Sequence, residues 1–340
     1  MASADLSRAD ATRSARRSEK SPSGGWRTIA AKEFSDHVSS VRFIALLIVI
    51  TIAAIVPLVF VSNDITGAAP QLSGQPALFL ALFVAGSQSL GGMTTVGFAA
   101  LLVPLVGIAF GFDGINSERS QGTLSRLLSQ PIHRDDVVNG KFAAGIAVIA
   151  VMVAALAILV SAVGIVRLGI VPAPEELRRV FSWWVATIQY ASFWLAYALL
   201  LSVVIRGAAS AALVGFGTWL GLILFGWFLL PLIAGAVFPT NTATASDYFS
   251  SISAQQLFLR ISPATLYQDI VSALMNPATK SVLGAGNIGQ YVSAQQQLPS
   301  LLTLDQSILI VWPQIVILTA LTVAMFALAY VLFLRQEVRA

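Results

Sequence analysis

Four basic and three acidic residues crowd into Gly114–Lys141, GINSERSQGTLSRLLSQPIHRDDVVNGK, in a chain otherwise poor in charge. Asp113 or Asn116 can cap a helix start, and Glu118 then falls in the first turn, where the helix dipole favours an anion. Leu124, Leu127 and Leu128 follow at helical spacing and form one apolar stripe, with Arg119 and Arg126 elsewhere on the surface. Gly122 costs about 1 kcal/mol inside a helix relative to alanine, which points to a close backbone approach as its purpose. Ser129-Gln130-Pro131 ends that helix, and Asp135 and Asp136 open a second one running through Lys141. The product is a charged helical hairpin too short to be a domain. Periodicity alone leaves two readings open: a handle gripped by a separate protein, or a hairpin packed on its own neighbours.

Other chemistry-bearing patterns are weaker. Gly284–Gly289, GAGNIG, matches the dinucleotide fingerprint, but that motif needs a preceding strand and a following helix, and a Gln-rich stretch follows here. A flexible turn is the better reading. Asn139–Phe142, NGKF, looks like the end of a phosphate-binding loop, yet its first glycine would fall at Asp135 and Phe142 replaces the required hydroxyl. No other stretch fits, so no ATP site is expected in this chain. His37 and His133 are isolated in polar segments without a metal-ligand partner at useful spacing. With no cysteine, disulfides, thiolate metal sites and a cysteine nucleophile are excluded. No nucleic-acid footprint is present, because that would need a basic face on a folded polar domain.

The elements that must position the hairpin follow from composition. The 340 residues are 56% hydrophobic and 11% charged, whereas soluble domains carry about 25% charged residues. Membrane immersion accounts for the difference. A bilayer core about 30 Å thick takes about 20 apolar residues of helix, and six such runs are visible: about 41–61, 92–112, 142–166, 183–205, 210–233 and 308–334. The second extends backward through Ala77–Ala85 or is preceded there by a re-entrant or interfacial segment. The expected fold is an all-α integral membrane protein of six spans, covering 41–340, with the 113–141 hairpin on one side and a large outer segment, 234–307, on the other.

Lysine and arginine set the orientation. With the N-terminus inside, the inner side holds 8 basic residues up to Arg42, 4 in the hairpin, Arg206, and Arg335 with Arg339; the outer side keeps 5. Both termini are therefore expected in the cytoplasm, in a multi-pass protein of the cell membrane. Residues 1–40 read as a partly disordered tail in which 26–34 forms an interfacial helix or a plain lead-in to span one. In the outer segment, Leu257, Ile261, Leu266, Ile270, Val271 and Leu274 fall at near-helical spacing about Pro263. Two amphipathic helices are expected there, over the outer mouth or in the outer headgroup layer.

Within the span cores no Asp, Glu, Lys, Arg or His occurs, and ion-coupled carriers use such groups at membrane depth. The polar side chains that do occur include Thr187, Gln189, Tyr190, Ser192 and Tyr197, then Thr218, Gln314 and Thr319. They join helices by hydrogen bonds or line a mildly polar path. The candidates for a path are Thr187, Gln189, Tyr190, Thr218 and Gln314.

Around the hairpin, PLVGIAFGFDGINSERSQGTLSRLLSQPIHRDDVVNGK resembles the signature of permease subunits of type-2 ABC exporters, nearest to the NosY-like branch. The pattern is met at Asp113, Ile115, Glu118, Arg119, Gly122, Thr123, Leu124, Leu127, Leu128, Pro131 and Arg134, followed by Gly140-Lys141. Pro104 and the ISPATLY stretch, Ile261–Tyr267, also fit. The resemblance implies a dimer of permeases, identical or paired, docked on two copies of a cytoplasmic ATPase that holds the ATP and magnesium, with no cofactor in this chain. It makes the hairpin a coupling helix: Leu124, Leu127 and Leu128 as apolar anchors, Glu118, Arg119 and Arg134 setting register by charge pairs, and Gly122 with Thr123 allowing close contact. A non-transporting component using the same ATPase, for mechanotransmission or assembly, would carry the same hairpin. A stand-alone carrier or channel is disfavoured by the uncharged span cores. The long outer segment departs from the shorter ones of many such exporters and leaves the cargo open.

Overall fold

The computed structural model describes residues 25–67, 77–90, 92–122, 133–240, 245–277 and 301–335. Among them every regular element is a helix. In chain order these are α1 (Gly25–Val38), α2 (Val41–Gly67), α3 (Leu78–Val84), α4 (Thr95–Gly111), α5 (Asn116–Ser120), α6 (Arg134–Leu168), α7 (Pro174–Val204), α8 (Ala208–Leu224), α9 (Leu230–Val237), α10 (Ala245–Leu259), α11 (Pro263–Met275) and α12 (Leu304–Arg335). Five helical runs are long and apolar enough to cross a membrane: Val41–Gly67, Thr95–Ser120, Arg134–Leu168, Pro174–Val204 and Leu304–Arg335. The expected fifth span is different. Its α8 is a shorter apolar helix that continues through a π-helical turn, Phe225–Leu229, into α9. Pro231 sits in the first turn of α9. Lacking an N–H, it cannot extend the regular ladder, and a wider turn absorbs the mismatch.

α7 is the central column, in contact with α12, α4, α6, α11 and α8. Apolar side chains gain little by leaving lipid for protein, so close fit and hydrogen bonds must hold such helices together. The fit is tightest against α4. A Cβ on Gly107 would stand 2.6 Å from the Ala191 carbonyl oxygen, and one on Gly111 would stand 2.7 Å from Ala198 Cβ. Two glycines four apart thus let the α4 backbone lie on α7. On the outward faces, Ile48 and Ile52 of α2 and Leu309 and Trp312 of α12 are exposed, as lipid-facing positions are.

Residues 77–94 do not lengthen the second span. α3 is a separate seven-residue helix, buried along its whole length. Its Phe79 N–H donates to Glu176 at 3.0 Å, and Phe83 stacks edge-on to Trp183 at 5.5 Å, so it runs beside the first turns of α7. The non-helical stretch after it is sheltered by protein, with Ala85 and Ser87 fully buried, the condition under which irregular backbone is tolerated at membrane depth.

The segment beyond α9 also differs from expectation. α10 and α11 are joined by a turn at Arg260–Ser262, and α10 packs on α9 rather than back along α11. Leu266, Ile270, Val271 and Leu274 are buried as their spacing requires, while Leu257 and Ile261 are exposed. α11 does not lie across the end of the bundle: it packs lengthwise between α7 and α12. The Leu274 carbonyl meets Arg179 near the start of α7, and Tyr267 meets Tyr190, about 16 Å further along that helix at 1.5 Å per residue.

Candidate functional site

The described part of the charged insert is held by α1 and the first turns of α6. Lys141 Nζ, on a side chain only 7% exposed, lies 2.7 Å from Glu118 Oε1 and 2.9 Å from Glu33 Oε1. One buried ammonium therefore joins three elements: α5, α1 and α6. α1 can reach because residue 140 is glycine; a Cβ there would fall 2.7 Å from Ile29 Cγ2. Ile29, Ile115, Val137, Val138, Leu199, Val203 and Phe333 close over the junction as an apolar cluster. Beside it, Arg42 Nη1 lies 2.6 Å from Asp113 Oδ2 and 5.1 Å above the Phe112 ring. His37 meets Phe110 edge-on at 5.0 Å, and burial pushes its pKa below the ordinary 6.5.

Several local expectations take a different form here. The cap of α5 comes from neither Asp113 nor Asn116: Ser202 Oγ of α7 accepts from Ile115 N at 3.0 Å and Asn116 N at 3.1 Å. α5 ends at Ser120, and Gly122 has φ +66°, so the glycine supplies a left-handed turn rather than a contact inside a longer helix. Asp135 and Asp136 do open a helix that leads through Lys141 into the span, and it is one unbroken helix, α6, to Leu168. Glu118 pairs within the chain, to Lys141. Arg119 is half-buried on α5, within reach of the charge on Arg206, and Arg134 is the exposed first residue of α6. Thr123, Leu124, Leu127, Leu128 and Pro131 lie outside the described residues, as do the GAGNIG stretch and residues 1–24 of the tail.

The candidate path residues each tie α7 or α12 to a neighbour. Thr187 Oγ1 and Tyr267 OH share a hydrogen bond of 2.8 Å, and the Tyr190 and Tyr267 rings stack with centroids 4.4 Å apart. Gln189 Nε2 donates to the Ile315 carbonyl at 2.9 Å and to Thr319 Oγ1. Tyr197 OH and Thr218 Oγ1 are 2.8 Å apart, joining α7 to α8. Gln314, with its amide oriented by its neighbours, accepts from Arg260 Nη2 at 3.1 Å and donates to the Val311 carbonyl at 3.2 Å. None of these candidates lines the small apolar cleft between α2, α4 and α6, whose wall includes Ile50, Val103, Ile149, Met152 and Leu156.

At the opposite end of the bundle, the start of α7 carries a node that sequence reasoning passed over. Arg179, 1% exposed, donates to the carbonyls of Leu274 and Leu302, each at 2.6 Å, and to Ser307 Oγ at 3.3 Å. Glu175 Oε1 accepts from Leu304 N at 2.9 Å; Glu176 accepts from Phe79 N at 3.0 Å and from Ala173 N at 2.7 Å. Three charged residues thus fasten α3, α11 and the entry to α12. The signal was available in EELRR at 175–179, where orientation counting treats Arg179 as solvent-side charge.

Among the described residues no group of three or more His, Asp or Glu side chains could hold a metal ion. The profile of the ABC-2 family transporter proteins matches residues 27–338, and the chain belongs to that family. No curated protein is matched by the sequence. Proteins of this family are membrane components of ABC transporters without an ATP site of their own, and membership implies membrane embedding and a partner ATPase.

Proposed function

We propose that this chain is the permease subunit of an ATP-driven exporter, of the NosY-like branch whose pattern its insert follows. It works as a dimer on two copies of a separate ATPase, which bind the ATP and magnesium. Six spans cross the plasma membrane, α8 and α9 together making the fifth, with both termini in the cytoplasm, where 15 of the 20 basic residues then lie. The exposed apolar faces of α8–α9, among them Leu213, Leu224, Phe228 and Leu232, offer the second copy a surface.

The observation that carries the reading is the Lys141 junction. It fixes the first arm of the insert to the foot of α6, and α6 continues without a break from Arg134 to Leu168. A push on the insert is then delivered to a span as the motion of a rigid rod. ATP closes the two ATPase subunits because it binds the closed pair better, and the levers convert that closure into a switch of the span arrangement. The permease itself performs no chemistry.

A second reading is a non-transporting component that uses the same coupling. It is favoured by one observation: Thr187, Gln189 and Thr218 each use their polar groups in hydrogen bonds to neighbouring helices. Vesicles holding the chain and its ATPase separate the two. ATP-dependent movement of cargo into the vesicles supports export, and ATP turnover stimulated by the chain without flux supports the alternative.

A further inference from the structure

The turn between α10 and α11 carries an ion pair at membrane depth. Arg260 Nε donates to Asp269 Oδ2 at 2.8 Å, with Asp269 4% exposed and Arg260 32% exposed. Gln314 of α12 accepts from Arg260 Nη2 at 3.1 Å. These two contacts orient the guanidinium through one edge, and Nη1 has no partner among the described residues. The depth follows from neighbours. Asp269 lies half a turn beyond Tyr267, which stacks on Tyr190, well inside α7 from Arg179. Ser262 of the same turn faces Gly226 in the π-helical turn of the fifth apolar segment, where a Cβ would stand 3.9 Å from Ser262 Oγ. π-turns recur at functional sites.

A partly exposed guanidinium facing hydrocarbon would be costly, so this edge belongs toward a water-accessible route rather than toward lipid tails. Its neighbours along the chain, Leu257 and Ile261, are each 67% exposed, so the same surface is strongly apolar. A buried carboxylate behind the arginine holds its fork in place and leaves the outward donors for a second acceptor. We infer that Arg260, held by Asp269 and Gln314, is a recognition site for an amphiphile with an anionic head group, phosphate or carboxylate, and an apolar body that lies on Leu257 and Ile261. The inference rests on the permease reading, since the site is placed on the route between two copies, and it names the class of cargo.

The test uses the full chain purified with its ATPase in neutral detergent, titrated with phosphatidylglycerol, phosphatidylcholine and inorganic phosphate, with bound lipid read by native mass spectrometry. Arg260→Gln combined with Asp269→Asn removes both charges and leaves neither buried alone. Phosphatidylglycerol is expected to bind the unaltered protein and to lose about tenfold in affinity in the double variant, the value of one charge-assisted contact. Phosphatidylcholine should bind both alike. Displacement of phosphatidylglycerol by millimolar phosphate identifies a free anion as a sufficient ligand, and no displacement identifies the lipid. Equal affinity for phosphatidylglycerol in the two proteins overturns the inference. So does a double variant that falls apart into single copies with lipid binding intact, because Nη1 then serves the second copy. Should the double variant fail to fold, Arg260→Lys decides alone: a several-fold loss is expected, and unchanged affinity overturns the site. Absence of the ATPase from the unaltered preparation would sink the permease reading while leaving the binding result in force.

Discussion

The ring of Tyr267 lies flat on that of Tyr190, centroids 4.4 Å apart and planes 9° apart, while its hydroxyl shares a 2.8 Å hydrogen bond with Thr187. This pair draws α11 down along α7 instead of leaving it at the end of the bundle. Two of the five candidate path residues, Thr187 and Tyr190, meet Tyr267 here, and the three together make a joint.

Removing that joint in two steps separates stacking from hydrogen bonding. Tyr267→Phe keeps the stacked ring and loses one hydrogen bond, about 1 kcal/mol. Tyr267→Ala also opens a cavity, and large aromatic truncations cost about 3–5 kcal/mol. Thermal melting followed by tryptophan fluorescence should therefore show a small shift for the first and a large one for the second. Equal shifts would mean the stacking contributes nothing.

The contact of α4 with α7 depends on two hydrogens in place of side chains. Gly111→Ala places a methyl 2.7 Å from Ala198 Cβ and 2.8 Å from the Leu195 carbonyl oxygen, closer than real carbons approach. One of the two helices must then shift along its length. Expression of folded protein is expected to fall sharply, and Gly111→Ala paired with Ala198→Gly should recover part of it. A fully stable single variant would contradict the packing.

What the sequence made legible divides along the range of the interaction. The five long apolar helices follow from apolar length, and the buried face of α11 follows from spacing, because both are local. α3 was unreadable: seven consecutive apolar residues have no periodicity that tells a buried helix from a piece of span. The depth of α11 and the cap of α5 were also out of reach, since Arg179 and Ser202 act on chain 95 and 86–87 residues away. At the insert, charge content was plain, but nothing local selects Lys141 rather than an outside partner for Glu118. The π-helical turn before Pro231 hid inside a run that reads as an ordinary span.

Lys141 is the cation shared by Glu33 and Glu118, so neutralising it strands two carboxylates. Breaking a buried pair by removing one partner costs about 3–5 kcal/mol. Lys141→Met should lower the melting temperature markedly and loosen α1, seen as faster proteolysis near Gly25–Val38. In a double-mutant cycle with Glu118→Gln, a coupling of about 0.5–3 kcal/mol is expected. Additive effects would show that the two groups act apart.

Leu127→Asp with Leu128→Asp places two charges on the apolar stripe assigned to the ATPase groove. Co-purification of the ATPase should be lost, while the melting temperature of the isolated permease stays within a few degrees, the outcome expected of a stripe that faces a partner rather than the chain's own core. Undiminished co-purification would move the docking face elsewhere.

His37 gives the junction a pH dependence whose sign is fixed. Burial against Phe110 disfavours the charged ring and holds its pKa below 6.5, outweighing the opposing pull of Glu33. Above about pH 6.5 both folded and unfolded chains carry a neutral ring and stability does not change with this group. As the pH falls through 6.5 the unfolded chain takes up a proton that the folded chain resists, so stability declines until the lower, folded pKa is passed. Melting temperatures of the wild type from pH 7.5 to about pH 5 should fall more steeply than those of His37→Gln, which has no proton to take up at this position. Parallel curves would place the ring in water, free of Phe110, and would detach this end of α1 from α4.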